Sequence, residues 1–408
     1  MKLNKPFFDI IIIGGGIVGL ASAYKIQSKW PYLNLLILEK EAHAGVHQTG
    51  HNSGVLHSGV YYKPGSSKAL NCRDGLKQMI AFAEENEIPY DICGKIIVAT
   101  QVSELSQLDD ILETGKQNGL KNVRKITAEE IQEIEPYCEG VAGIFVGDSG
   151  IIDYQTVAKT LAKKITSINP TSQIRFNQEV ISIKESKNGH ILKTASALFK
   201  TKYMVFCGGL FSDRLAKKQG IKTTDRIVGF RGDYYELTPQ AQHKVKHLIY
   251  PVPNPQFPFL GVHFTRMING GIECGPNAVF TFKREGYRRT SFNLKDTYES
   301  LSYSGTWRLF FKHWRFGIEE YRRAFSKRKF LRTLQGLIPS LTLNDIQPAR
   351  SGVRAVLLNE AGDTRTDFKI EFGKDSIHIL NAPSPAATAS LAIGDRVVEM
   401  VEEKFKLQ

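Results

Sequence analysis

The sequence predicts an α/β chain with two sheets. One is a Rossmann-like parallel sheet whose segments are discontinuous in sequence. The other is a largely antiparallel sheet in an α+β part. Three observations predict this. Residues 7–40 read strand, glycine turn, helix, strand. Residues 203–213 begin the same way, with YMVFC running into Gly208-Gly209 and a helix start near Ser212-Asp213. Residues 227–281 instead alternate through GFRGDYYEL, LIYPVP, GVHFTRM and IECGPNAVF, the period of half-buried strands. The parallel part is expected to take residues 1–90, 150–225 and 346–408, and the antiparallel part residues 91–149 and 226–345.

The first stretch is the most specific. Phe8–Ile13 is a β-branched apolar run, as expected of a buried parallel strand. It breaks into Gly14, Gly15, Gly16, Ile17, Val18, Gly19, a G-x-G-x-x-G at a strand end. A helical pattern follows to about Ser28, then a second apolar strand, Leu35–Leu38, ending in Glu39 and Lys40. Gly14 permits the tight turn, Gly16 lets backbone approach a pyrophosphate, and Gly19 lets helix and strand pack closely. The helix N-terminus favours the anion. Glu39 stands where its carboxylate can accept a hydrogen bond from a ribose 2′-hydroxyl, which selects FAD or NAD over a 2′-phosphorylated cofactor. The turn's place near the start of the chain favours FAD.

A chain of 408 residues that is 42% hydrophobic suffices for two domains. Cys72, Cys93, Cys138, Cys207 and Cys274 form no C-x-x-C pair and read as reduced thiols in a cytosol-like compartment. The first 23 residues imitate a secretion signal, but Asp9 and the glycines interrupt the apolar run, and cleavage would remove the glycine turn. No run reaches the roughly 18 apolar residues of a membrane span.

Residues 43–75, rich in Gly, His, Ser and Asn, are expected as loops around the cofactor. Helices are expected at Ala69–Asn86, Ser103–Asn118 and, capped by its TAEE start and stopped by Pro136, Thr127–Glu135. Ile96–Thr100 and Gly143–Asp153 read as strands, and Tyr154–Ser167 as an amphipathic helix. Ile174–Phe176, Val180–Glu185 and His190–Thr194 read as antiparallel strands with a turn at Asn188-Gly189. Ala349–Leu357 and Ser376–Leu380 are further strands, and a helix over Ala386–Lys404 closes the chain. In NAPSPAATAS, Ser384 is placed to cap that helix with Pro385 at its first position.

The run QTGHNSGVLHSGVYYKPGS from Gln48, with GGGIVG, FRGDYYEL, GVHFT, GPNAVF and the tail ILNAPSPAATASLAIG, resembles the L-2-hydroxyglutarate dehydrogenase/oxidase family of D-amino-acid-oxidase-like FAD oxidoreductases. The resemblance covers nearly the whole chain. It implies an FAD-binding domain and a substrate-binding domain sharing one active site, non-covalent FAD, and oxidation of L-2-hydroxyglutarate to 2-oxoglutarate. Electrons would pass to a quinone-linked acceptor or oxygen. It places Thr49, Gly50, His51, Asn52, Ser53 and Gly54 against the flavin, and Val180, Gly352 and Arg354 with the cofactor contacts. No metal is implied.

Oxidising a 2-hydroxy acid needs a hydride acceptor, a base for the hydroxyl proton, and cations for the carboxylates. A neutral histidine suits the base. His51 is read as a cofactor contact, leaving His57 and His263 as base and anchor; each also has a structural reading as an ordinary hydrogen-bonding side chain. Arg231, Arg350 and Arg354 are candidate carboxylate partners, set against plain ion pairing. Tyr250 is a candidate lining residue. A helix start at Pro383, Ser384, Pro385, Ala386, Ala387 and Thr388 would offer backbone N–H groups to the flavin's anionic edge, with Cys207, Gly208 and Gly209 closing nearby.

Between Lys283 and Arg332, 14 Lys/Arg face 5 Asp/Glu, giving +9 of the chain's +13, alongside Trp307 and Trp314. This basic helical segment, 283–335, reads as a solvated face, or as a peripheral contact with the inner face of a membrane, which a quinone acceptor would make useful. Nucleic acid would also suit the charge, but no nucleic-acid fold motif accompanies it. Two rival functions share the scaffold or the charge: an amino-acid or sarcosine-type amine oxidase, and an RNA-modifying or RNA-binding flavoprotein.

Overall fold

The computed structural model describes residues 7–253 and 261–407. Lys2 and Lys5 of the signal-like start lie outside the described residues.

The parallel sheet is built from its most apolar strand outward. Phe7–Ile13 pairs in parallel with Leu35–Leu38 on one side and Leu198–Phe206 on the other. Its residues Ile10 and Ile12 are fully buried against Leu20 and Ile26 of the helix Ile17–Lys29. Ser376–Asn381 adds in parallel to Leu198–Phe206. The expected hairpin, Ser182–Ser186 and Gly189–Lys193, pairs antiparallel at one edge, but its turn is Lys187-Asn188, one residue earlier than expected, with Gly189 opening the second strand. Gln173–Arg175, expected with that hairpin, instead pairs parallel to Leu35–Leu38. Three residues carry no sign of strand direction; the preceding helix Tyr154–Ile168 carries the chain back so that the strand runs parallel. Helices Ile17–Lys29, Tyr154–Ile168 and Ser390–Phe405 cover one face.

The second sheet has nine strands. Arg226–Leu237 pairs antiparallel along most of its length with Ile346–Leu358. Residues 346–408, grouped by pattern with the parallel sheet, therefore divide between the two sheets. The remaining strands run from Val279–Phe280 through Ile272–Gly275, His263–Arg266, Leu248–Pro251 and Lys95–Ala99 to Ala142–Val146 and Val123–Thr127. Leu248–Pro251 and Lys95–Ala99 form its one parallel pair among the described residues. The span 143–153 is two strands, because Gly147 and Asp148 turn the chain into Gly150–Ile152 of a third, small sheet with Val55–Leu56 and Tyr90–Asp91. Thr127 caps Ala128–Ile134 with the reciprocal Glu130 contact that TAEE predicts.

The basic segment forms four helices, Leu294–Leu301, Ser304–Lys312, Trp314–Ala324 and Lys327–Leu334. The last buries Phe330, Leu331 and Leu334 beneath the antiparallel sheet. Arg284 joins this segment to the parallel part: fully buried, it donates to Asp213 and to the Leu210 carbonyl. No helix among the described residues is long and apolar enough to cross a membrane.

Candidate active site

The three glycines of the first turn do different jobs. Gly14 has φ +115°, and a Cβ there would lie 2.3 Å from the Cys207 carbonyl oxygen. A Cβ on Gly19 would lie 2.1 Å from the Gly14 carbonyl. Both are demanded by the protein's own backbone. A Cβ on Gly16 would meet only Thr49 Oγ1, at 3.5 Å. Space is kept open there, at the N-terminus of a helix whose Gly16 cap makes no side-chain bond. Glu39 turns its carboxylate toward the same turn, accepting from Gly15 N at 2.6 Å and Glu41 N at 2.9 Å. An open backbone cradle, a helix N-terminus and an acid at the second strand's end fit a dinucleotide. Val18 is half-buried on the first turn of that helix, and Ile17 N donates to Thr49 Oγ1. Lys40, expected as a cofactor contact, is instead held by Glu41 and Glu285 with His47 beside it. Glu41, His47 and Glu285 converge closely enough for a metal ion, but Lys40 already stands among them as the cation.

The loop at 49–54 is clamped by strand Ile346–Leu358. Arg350 donates to the carbonyls of Gly50 and Asn52 at 2.9 and 2.8 Å and pairs with Glu273 at 2.6 Å. His51 Nδ1 donates to the Ser351 carbonyl, and its ring stacks on Tyr287 at 4.1 Å. A Cβ on Gly352 would lie 2.5 Å from the His51 carbonyl, so only glycine lets strand and loop touch. Asn52 Oδ1 accepts from Gly54 N, closing a turn over half-buried Ser53. Arg350 thus positions the loop; its charge is already spent.

The tail departs from expectation. The closing helix is Ser390–Phe405, and Ala389, not Ser384, stands before it. Residues from Pro383 to Ser390 form a turn, in which Ala386 N donates to the Pro383 carbonyl and Ala389 N to the Pro385 carbonyl. Thr388 explains why. Its hydroxyl bonds Tyr154 Oη at 2.8 Å and accepts from His57 N at 3.2 Å, pinning the turn between two other elements. Half-buried Ala386 and Ala387 belong to this turn. Cys207 N donates to the Ile13 carbonyl, seating Cys207 and Gly208 beside the glycine turn, and Gly209 faces Gln48. Val180 is a buried core residue packed with Phe8 and Leu38.

His57 and His263 come together. His263 is buried, stacks on Tyr250 at 4.0 Å, and donates Nδ1–H to the Gly261 carbonyl at 2.8 Å. A carbonyl can only accept, so the neutral ring keeps its lone pair on Nε2. Burial lowers its pKa to about 4, with the positive charges of Arg354 and Lys95 adding. Burial takes His57 to about 3, with Lys95 and His263 adding. Both are neutral imidazoles at physiological pH. Arg231, by contrast, is buried in an ion pair with Asp233 and donates to the Arg288 carbonyl, so it is no open anchor. Arg354 is half-buried with Tyr234 nearby and donates to the Asn277 carbonyl.

Two features escaped the sequence reading. Lys95 is fully buried, its ammonium 4.8 Å from the centroid of the Tyr61 ring and 4.9 Å from that of Tyr250. Tyr62, next to Tyr61 in sequence, has the Lys68 ammonium 4.6 Å over its ring. The only available signal was a lysine directly before an apolar strand, which ordinarily marks a strand end.

The sequence pattern of the FAD dependent oxidoreductase family matches residues 9–400. The chain is 45% identical over 399 residues to L-2-hydroxyglutarate dehydrogenase of Indibacter alkaliphilus, covering 98% of this chain and 100% of that one. It is 42% identical over 396 residues to the enzyme of the same name from Escherichia coli K12, covering 97% and 93%. A mitochondrial L-2-hydroxyglutarate dehydrogenase from Bos taurus is 42% identical over 421 residues, covering 100% and 91%. In fold, the chain matches FAD-bound L-alpha-glycerophosphate oxidase from Mycoplasma pneumoniae with TM-score 0.78 at 23% identity, covering 97% and 95%. Glycine oxidase from Geobacillus kaustophilus matches with TM-score 0.74 at 18% identity, covering 98% and 95%.

Proposed function

The chain belongs to the FAD dependent oxidoreductase family, and on that premise we propose that it oxidises L-2-hydroxyglutarate to 2-oxoglutarate. It is an FAD-dependent enzyme. FAD, when bound, supplies the acceptor for the hydride leaving C2. Gly14, Gly16, Gly19 and Glu39 would hold the cofactor's pyrophosphate and ribose, with the 49–54 loop and the Thr388 turn against its other end. The attachment is non-covalent. The single observation carrying the reaction type is His263, buried against the Tyr250 ring with Nδ1 committed to the Gly261 carbonyl, close enough to His57, Lys95 and Arg354 for their charges to act on one another. A neutral imidazole takes the hydroxyl proton, and the cations receive the two carboxylates. His263 Nε2 is the favoured acceptor because Nδ1 is already committed. An amine oxidase on the same fold is the rival reading, and the fold neighbours at low identity share it. Its donor bond would be C–N.

The test is an anaerobic visible spectrum of the purified protein before and after L-2-hydroxyglutarate. Bleaching of the flavin band with the L-acid and not the D-acid is expected. Bleaching with an amino acid alone would overturn the assignment.

The acceptor we infer is membrane-borne, a quinone-linked carrier, reached from a cytoplasmic location by the basic helices docking on anionic lipid. Leu294, Tyr298 and Phe311 are 75, 71 and 73% exposed, far more than apolar side chains of this size usually are; Trp307, packed on Phe311, is exposed as well, as are Trp314 and Phe325 of the same helical segment. In sequence, Lys295, Lys312 and Arg315 stand next to Leu294, Phe311 and Trp314. Aromatics with cations suit a lipid interface. Sedimentation with phosphatidylglycerol vesicles is expected at low salt, and Phe311→Asp should abolish it. Equal binding to neutral phosphatidylcholine vesicles, or to neither, would refute the docking face.

A further inference from the structure

A lysine ammonium in a protein interior is costly unless something compensates it. The buried arginines among the described residues follow the rule. Arg231 holds Asp233 and Arg284 holds Asp213. Lys95 does not. It opens the strand Lys95–Ala99 in the middle of the antiparallel sheet, its side chain is fully buried, and no carboxylate of the described residues pairs with it. Two tyrosine ring faces flank its ammonium, a partial compensation only.

Its position is specific. The Tyr250 ring that lies under Lys95 Nζ also stacks on His263. The charge of Lys95 reaches both His57 and His263. Arg354, whose charge also reaches His263, lies two residues beyond Gly352, which touches the His51 loop. A five-carbon 2-hydroxy diacid has one carboxylate bonded to the reacting carbon and one three carbon–carbon bonds away. The first belongs near the loop and Arg354. The second needs a cation beyond the base, and Lys95 and His263 both pack on the Tyr250 ring.

Resting on the proposed hydroxy-acid reading, we propose that Lys95 receives the distal carboxylate of the substrate and thereby sets the preference for a dicarboxylate over a monocarboxylate. Binding of the diacid supplies the counter-charge that the protein withholds. The side chain binds; it moves no proton. Burial supports this by lowering the lysine to about 8. Its neighbours Tyr61, Tyr250 and Cys72 are pushed upward by burial and His57 and His263 downward, so none of these titrates near 8. Lys68, also near, is lowered by its own burial.

The test compares kcat/KM for L-2-hydroxyglutarate and L-2-hydroxypentanoate, equal in carbon number, in wild type, Lys95→Met, Lys95→Gln and Lys95→Arg. Both neutral variants should lose about 10²–10³-fold more on the diacid than on the monoacid, chiefly in KM. Lys95→Arg should keep most of the preference. The fall of wild-type kcat/KM above pH about 8 should vanish in Lys95→Met. FAD content and melting temperature verify that the neutral variants fold, which removal of an unpaired buried charge favours. Equal losses on both acids, or no loss on the diacid, overturn the assignment. Failure of the underlying reading looks different: wild type itself would then be inactive on L-2-hydroxyglutarate, and the assignment would fall with it.

Discussion

Gly16→Val is expected to purify folded and colourless. The reason lies in what surrounds each glycine. At Gly16 a Cβ finds only Thr49 Oγ1 at 3.5 Å, ordinary contact distance, so the protein itself tolerates the side chain. What cannot tolerate it is a pyrophosphate laid against bare backbone at a helix N-terminus. The two branching methyls of valine would occupy that space. Gly19→Ala is the control with the opposite profile. Its Cβ would strike the Gly14 carbonyl at 2.1 Å, so helix and strand must separate. A loss of stability of about 1–3 kcal/mol is expected there from overpacking, read as a lower melting temperature. The measurement is the ratio of flavin absorbance to protein absorbance, with a thermal melt. Gly16→Val that retains stoichiometric flavin would refute the placement of the cofactor, and Gly16→Val that fails to fold would show that the gap is structural.

The parallel sheet was legible because its signals are local. Ile10–Ile13 is apolar on both faces, and the glycines follow at the spacing of a tight turn. The tail was not legible, because Ser384-Pro385 looks like a cap and first position whatever lies beside it. Thr388 decides the outcome through Tyr154 and His57, each hundreds of residues away. The cations show the same divide. Arg231 and Asp233 stand two apart on one strand and so share a face, and FRGD could have been read as an ion pair from spacing alone. Lys95 could not be recognised in that way. Its burial depends on Tyr61 and Tyr250 from other elements, and a strand-terminal lysine is ordinarily exposed. Partnering across the fold, rather than residue type, separates a substrate anchor from a structural charge.

Removing the histidines should have the second large effect. His263→Ala is expected to slow flavin reduction by L-2-hydroxyglutarate about 10²–10⁴-fold, the usual worth of a positioned base, with FAD still bound. His263 is chosen first because its Nδ1–H is fixed on the Gly261 carbonyl and the Tyr250 ring holds its plane, leaving Nε2 to accept. His57→Ala should cost a comparable factor if it orients the hydroxyl, and the pair should be strongly non-additive, since both act on one proton. The pH dependence supplies an independent check. A base protonates as pH falls through its pKa, and burial has moved both rings from the ordinary 6.5 to about 4 and about 3. In the free enzyme, kcat/KM should therefore hold through pH 6.5 and decline only toward pH 4, where an exposed histidine would already have lost its lone pair. A decline centred at pH 6–7 would mean that the base is better solvated than the buried ring at His263. Near-normal reduction in both single variants would remove histidine from the proton transfer and leave the two cations and the tyrosines to be tested in its place.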